Sequence, residues 1–177
     1  MSLSHFNFLC DALKKTFLLA LLAITFFSCS STQKEYQIKK VIDFDEYQKI
    51  IANNNDKLLV VNFWATWCKP CVEELPHFME VNNAYRDNPD YKMILVSLDK
   101  ADMLNSGMSD VAQKLNLTPD LYILNDNTRM NEWIPAIDSS WSGAIPATVF
   151  YQNGVKKDFV EGQLKKSTLT QKINNYL

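Results

Sequence analysis

The sequence predicts an α/β sandwich, a mixed β-sheet with helices on both faces. Three observations carry that reading. From residue 38 onward, apolar runs of strand length alternate with stretches of helical periodicity, the order that builds a largely parallel sheet. "KLLVVNFW", 57–64, is almost continuously apolar, as a strand buried on both faces must be. "ATVFYQNGVKKDFV", 147–160, holds two alternating runs joined at Asn153-Gly154, a tight-turn pair that ends the sheet in an antiparallel hairpin.

Taken in order, Ile38 to Val41 reads as a short first strand. Asp43 is placed to cap a helix running to about Asn53, with Phe44, Tyr47, Ile50 and Ile51 on one face. After the 57–64 strand, a long helix is expected from about Cys68 to Tyr85, packing through Leu75, Phe78, Met79 and Tyr85. Pro76 removes one backbone donor from it and should kink it. "YKMILVSLD", 91–99, is the next strand. Leu104, Met108, Val111 and Leu115 recur at helical spacing, "LYIL" (121–124) is a short strand, and Thr128 to Ile134 reads as helical. Past the hairpin, Ser167 is expected to cap a last helix with Leu169, Ile173 and Leu177 inward.

The N-terminus is set apart from this fold. Lys14 and Lys15 precede the apolar run "TFLLALLAITFFS", 16–28, which is followed by Cys29. A basic segment and an apolar run of this length read as a secretory signal, since a spanning helix needs roughly 20 residues; a short uncleaved anchor is the alternative. Phe27-Ser28-Cys29 resembles the site where bacterial lipoproteins are cut before a cysteine that is then acylated, although Phe26 stands where leucine is usual. The polar "SSTQKEYQ" after it suits a leash. The expected division is therefore a signal peptide, 1–28, a lipidated Cys29 with linker to 36, and one folded domain, 37–177.

Charge excludes a partner class. The chain carries 18 basic and 20 acidic residues; without 1–28, which hold two basic residues and one acidic, the balance is 16 against 19, or −3. No block of Lys or Arg stands out, so nucleic acid is not an expected partner. Of four cysteines, Cys10 goes with the signal and Cys29 with the lipid, which leaves Cys68 and Cys71. Two thiols this close do not staple a scaffold.

They hold a metal or they exchange electrons. A structural zinc takes four Cys or His ligands, and the only histidine beyond residue 28 is His77, expected to face solvent. No metal and no cofactor are therefore expected, and cysteine-protease chemistry lacks a base. Redox chemistry fits the position. A cysteine at a helix N-terminus meets unpaired amides and the positive end of the helix dipole, which favour its thiolate. Cys68 is thus the expected exposed nucleophile, and Cys71, one turn on, the buried resolving thiol. Pro70 fixes the first turn, where its missing donor costs nothing, and Lys69 adds a positive charge nearby.

"VNFWATWCKPC", with Pro76 in the following helix and "GAIPATVF" at 143–150, resembles the thioredoxin superfamily. The resemblance implies a thioredoxin-like three-layer sandwich with a central mixed sheet, and a cis bond at Ile145-Pro146 facing the sulfurs. It further implies that Trp67, Lys69, Pro70, Ile145 and Pro146 meet the substrate. Within the superfamily the chain looks like the extracytoplasmic, membrane-tethered thiol–disulfide oxidoreductases of the TlpA/ResA type. Asn62 stands where cytoplasmic thioredoxins carry a buried aspartate, Glu74 matches an acid of that branch, and 99–143 is long enough for its central insertion. An amide cannot take the resolving thiol's proton, so Glu74 is the candidate base; its alternative is a solvated helix residue beside Glu73. Trp64 and Trp67 are read as core and rim aromatics. Trp133 and Trp141 line the insertion, the groove or ordinary core. By the same resemblance, the partners are protein thiols and disulfides, apocytochrome c thiols among them, and an integral-membrane electron donor. A thiol peroxidase and a metal- or client-binding lipoprotein are the competing functions.

Overall fold

The computed structural model describes residues 38–177. The expected signal segment, Cys29 and the linker to residue 36 lie outside the described residues. β1 (Ile38–Ile42) leads into α1 (Phe44–Ala52) through Asp43, whose side chain accepts from the Glu46 amide while Glu46 reaches back to the Asp43 amide. This reciprocal cap satisfies two of the four orphan donors at the helix start. β2 (Leu58–Trp64), α2 (Lys69–Tyr85) and β3 (Tyr91–Ser97) follow. Then come α3 (Gly107–Lys114), β4 (Asp120–Leu124), α4 (Met130–Ile137), the hairpin β5 (Ala147–Gln152) and β6 (Val155–Glu161), and α5 (Lys166–Tyr176).

One six-stranded sheet results, in the order β1-β4-β3-β2-β5-β6. β1, β4, β3 and β2 are mutually parallel, β5 is antiparallel to β2, and β6 is antiparallel to β5. All seven residues of β2 are buried, because helices cover both of its faces. Leu58, Val60 and Trp64 point into a cluster with Leu75 and Phe78 of α2, Met108 of α3 and Ile173 of α5. Leu59, Val61 and Phe63 point the other way, against Tyr47 and Ile51 of α1 and Trp133 and Ile137 of α4. A strand's side chains alternate, so Asn62 faces the α2 side. The hairpin turns through Asn153 and Gly154, both at positive φ (56° and 70°), as the two central residues of its turn require.

The long 99–143 stretch supplies a strand of its own, β4, between β1 and β3. Three boundaries differ from expectation. The helix expected over Leu104–Leu115 is shorter: a 3₁₀ turn at Ala101–Met103 precedes it, and it starts only at Gly107. The helix near Thr128–Ile134 starts at Met130 and runs past Pro135 to Ile137. Ser167 does not cap α5, because the capping position is Lys165. Leu164 before it and Leu169 after it are buried in one cluster and occupy the two positions of a hydrophobic staple, which fixes where the chain enters the helix. Leu177, expected inward, is 46% exposed beyond the end of α5.

Candidate active site

β2 ends at Trp64, and α2 begins four residues after Ala65. Between them, Cys68 takes the N-cap position with extended backbone (φ −86°, ψ 96°) and Pro70 falls in the first turn. A residue at that position projects its side chain over the free amides of the first turn. Cys71 is one turn further, and the two sulfurs are bonded, with the Cα atoms 5.3 Å apart.

The exposure expected of Cys68 is not found: both cysteines are buried. Cys71 has no exposed surface, and Cys68 is only 6% exposed. The surroundings close over it. Ile145-Pro146 is a cis peptide, and the Ile145 carbonyl oxygen lies 3.6 Å from Cys68 Sγ. Of the residues expected to meet substrate, Trp67 (69% exposed), Lys69 and Pro70 ring Cys68 on the outside. Ile145 is half-buried and Pro146 buried. The Lys69 charge is shared with Glu73, 3.7 Å away in an exposed i,i+4 pair. His77 is exposed, and no three His, Cys, Asp or Glu side chains among the described residues are grouped to hold an ion.

Glu74 is not a solvated helix residue. It is 2% exposed, one turn after Cys71 on the same helix. Its Oε1 accepts from Asn62 Nδ2 at 2.9 Å and its Oε2 from the Leu164 amide at 2.9 Å. Burial pushes its carboxyl up to about 7, with the Leu164 and Asn62 hydrogen bonds pulling the other way. Asn62 also donates to Thr148 Oγ1 at 3.2 Å, its partner across the β2–β5 ladder. Its own Oδ1 is buried without a hydrogen-bond partner. Among the described residues no cation is paired with it, and this carboxyl holds or releases a proton near neutral pH.

Two further groups were not singled out from sequence. Asp99, 3% exposed at the end of β3, accepts from the Thr66 amide (3.0 Å), Thr66 Oγ1 (2.7 Å) and Ser97 Oγ (2.6 Å). It therefore pins the loop that carries Trp67 and Cys68. An acid closing the apolar run "YKMILVSLD", at the same end of the sheet as Cys68, was the available signal. The second group is the β6–α5 connection. Glu161 accepts from the Ser142 amide at 2.8 Å, and the Gly162 amide donates to the Pro146 carbonyl at 2.8 Å. Gln163 Nε2 donates to the Pro70 carbonyl at 2.8 Å, and the Leu164 amide to Glu74. Four consecutive residues thus tie the loop of Pro146 to the helix of the cysteines. Trp141, buried in the core with Trp133, holds the same loop by donating its indole N–H to the Ala144 carbonyl at 2.8 Å.

A family model described as Thioredoxin matches residues 19–141, more than half of the chain and inclusive of both cysteines. The chain is 28% identical over 114 residues to Thioredoxin-1 of Schizosaccharomyces pombe, covering 63% of this chain and 99% of that protein. It is 26% identical over 144 residues to the thiol-disulfide oxidoreductase ResA of Oceanobacillus iheyensis, covering 80% of this chain and 69% of the relative. Among solved structures it is similar in fold to a thioredoxin-family thiol:disulfide interchange protein from Chlorobium tepidum. There the TM-score is 0.58 at 19% identity, over 71% of this chain and 83% of that one.

Proposed function

This chain belongs to the thioredoxin family as a thiol–disulfide oxidoreductase with a Cys68–Cys71 pair, and from that premise we propose that it reduces protein disulfides outside the cytoplasm while tethered to a membrane through Cys29. The carrying observation is the joined sulfurs at a helix start, with the more accessible one against the Ile145 carbonyl.

In the reduced protein, the Cys68 thiolate attacks one sulfur of a substrate disulfide. That S–S bond breaks, a Cys68–substrate bond forms, and the leaving sulfur takes a proton. The Cys71 thiol then gives its proton to Glu74, and the resulting thiolate attacks Cys68 Sγ. The second substrate sulfur leaves, and the Cys68–Cys71 disulfide remains. Two electrons have passed from the protein pair to the substrate. A membrane thiol donor must return them for another cycle. The Trp67 side chain and the Ile145-Pro146 backbone supply an apolar wall and a polar edge for an extended substrate segment. The Lys14-Lys15 start, the 16–28 apolar run and Cys29 support export and the tether.

The test has three parts. A Cys71→Ser variant should accumulate mixed disulfides through Cys68, and a Cys68→Ser variant should not; equal trapping by both overturns the assignment of roles. A reduction potential of about −250 mV or lower marks a reductant, and one near −120 mV an oxidant. Loss of membrane association in a Cys29→Ser variant supports the tether, and unchanged association removes it.

A further inference from the structure

Gln163 lies outside the Cys-x-x-Cys motif, 93 residues from Pro70 in sequence, yet its side-chain amide reaches the motif's own backbone. The acceptor is the Pro70 carbonyl, which has no proton to give, so the group facing it at 2.8 Å is the Gln163 amide nitrogen. That carbonyl belongs to the Pro70–Cys71 peptide, whose other polar group is the Cys71 amide. The first intrahelical bond of this segment runs from the Val72 amide to the Cys68 carbonyl, 3.1 Å, so the Cys71 amide precedes the helix's own ladder. Cys68 is the N-cap, Lys69 the first helical residue and Pro70 the second. A capping side chain accepts from the second or third amide. The second belongs to a proline and carries no hydrogen, so the donor left for a Cys68 thiolate is the Cys71 amide.

We infer that Gln163 is a positioning residue for the thiol chemistry, acting through the Pro70–Cys71 peptide to strengthen the amide that holds the Cys68 thiolate. A donor on a peptide's carbonyl polarises that peptide and makes its N–H a better donor. The chain runs from Gln163 Nε2–H to the Pro70 oxygen, and from the Cys71 N–H to Cys68 Sγ once the disulfide is reduced. The neighbouring residues of the connection make the geometry rigid: Gly162 is bonded to Pro146 and Leu164 to Glu74. Gln163 itself is exposed, so replacing it leaves the core intact. Among the described residues, the charged groups tied to this region are Lys69, Glu73 and Glu74 on α2, Asp99, which holds Thr66, and Glu161 at the end of β6, which holds Ser142. None of them changes in the variants below.

A hydrogen bond to a charged acceptor moves a thiol by roughly one to two pH units, and polarisation adds roughly 10–30% per bond. Loss of the Gln163 donor should therefore raise the Cys68 thiol by about 0.3 pH unit, about a two-fold loss of thiolate at pH values well below its midpoint. The experiment compares the full-length parent with Gln163→Met, which keeps the side-chain length and removes the donor, and Gln163→Lys, which restores one. Each is reduced, and iodoacetamide alkylation is followed from pH 4 to 9 by mass spectrometry, with peptide fragmentation assigning the label to Cys68 or Cys71. The expected result is a raised Cys68 titration and about two-fold slower alkylation at pH 6 in Gln163→Met, with Gln163→Lys at or below the parent midpoint. A Gln163→Met protein that titrates as the parent overturns the inference, whether or not it melts lower, and so do Met and Lys variants that shift alike. The inference rests on the reading of Cys68 as nucleophile. A parent whose Cys68 reacts no faster than Cys71 sinks that reading, whereas a normal parent beside an unshifted Gln163→Met sinks the inference alone.

Discussion

Replacing Glu74 by Gln isolates the energetic consequence of burying an acid one helical turn after Cys71. Folding moves this carboxyl from an ordinary value of 4.5 up to about 7, chiefly through burial. Between those two values the folded chain holds a proton that the unfolded chain has released, so folding stability must fall as pH rises through the window. Below about pH 4.5 both states are protonated and the burial costs little; above about pH 7 the full cost is present. The size follows from the displacement: 2.5 pH units correspond to about 3 kcal/mol. The amide of a Glu74→Gln variant never ionises. It still accepts from Leu164, and its nitrogen can face Asn62 if that side chain turns its unpartnered Oδ1 inward. Stabilities of parent and variant in the oxidised state, from urea unfolding at pH 4.5 to 8.5, should be close at the acid end. At pH 8 they should diverge by about 3 kcal/mol, with the variant the more stable. Differences between the two proteins cancel the other titrations, including the carboxyls of Asp126 and Asp138 that their Arg129 and Lys156 partners hold low. A parent-minus-variant difference that stays flat across this range would refute the reasoning, because the buried acid would then cost the same charged or neutral. If Glu74 takes the Cys71 proton as proposed, the same variant should flatten the pH dependence of disulfide exchange.

Two further outcomes follow from neighbouring groups. Asp99→Ala strands the Thr66 amide and the Thr66 and Ser97 hydroxyls, a loss of about 3 kcal/mol. Thermal unfolding should show the drop and insulin reduction a slower rate, and a destabilised protein with parental turnover would free Asp99 from any part in placing Cys68. Asn62→Asp sets a second carboxyl where an amide now donates to Glu74 at 2.9 Å. Two such acids share a proton and titrate as a split pair, so carbon-13 spectra of labelled side chains should show one step below and one well above that of Glu74 in the parent.

The frame of this molecule was legible because it is written in local patterns. The apolar run of β2, the Asp43 cap and the Asn153-Gly154 turn each depend on residues a few positions apart, and the cysteine spacing placed both sulfurs at a helix start before any fold was known. Boundaries were less legible where long-range packing sets them. α5 starts at Lys166 because Leu164 is buried under the sheet and its amide is taken by Glu74, and Ser167, the better cap by composition, is simply inside the helix. The site divides in the same way. Glu74 was readable as a candidate from its place after Cys71, but its burial is set by Asn62 in β2 and Leu164 after β6, and no spacing along α2 reports either. Asp99 acts on a loop 33 residues away and Gln163 on a carbonyl 93 residues away. A polar residue at a strand end or in a connection is, read alone, a solvated residue. What converts these two into parts of the site is the parallel sheet, which brings the ends of β2 and β3 together, and the antiparallel hairpin, which returns the chain after β6 to the start of α2. The chemistry-bearing thiols can therefore be read from eleven consecutive residues, whereas the groups that hold their loop, their proton and their peptide exist only once the strands are in order.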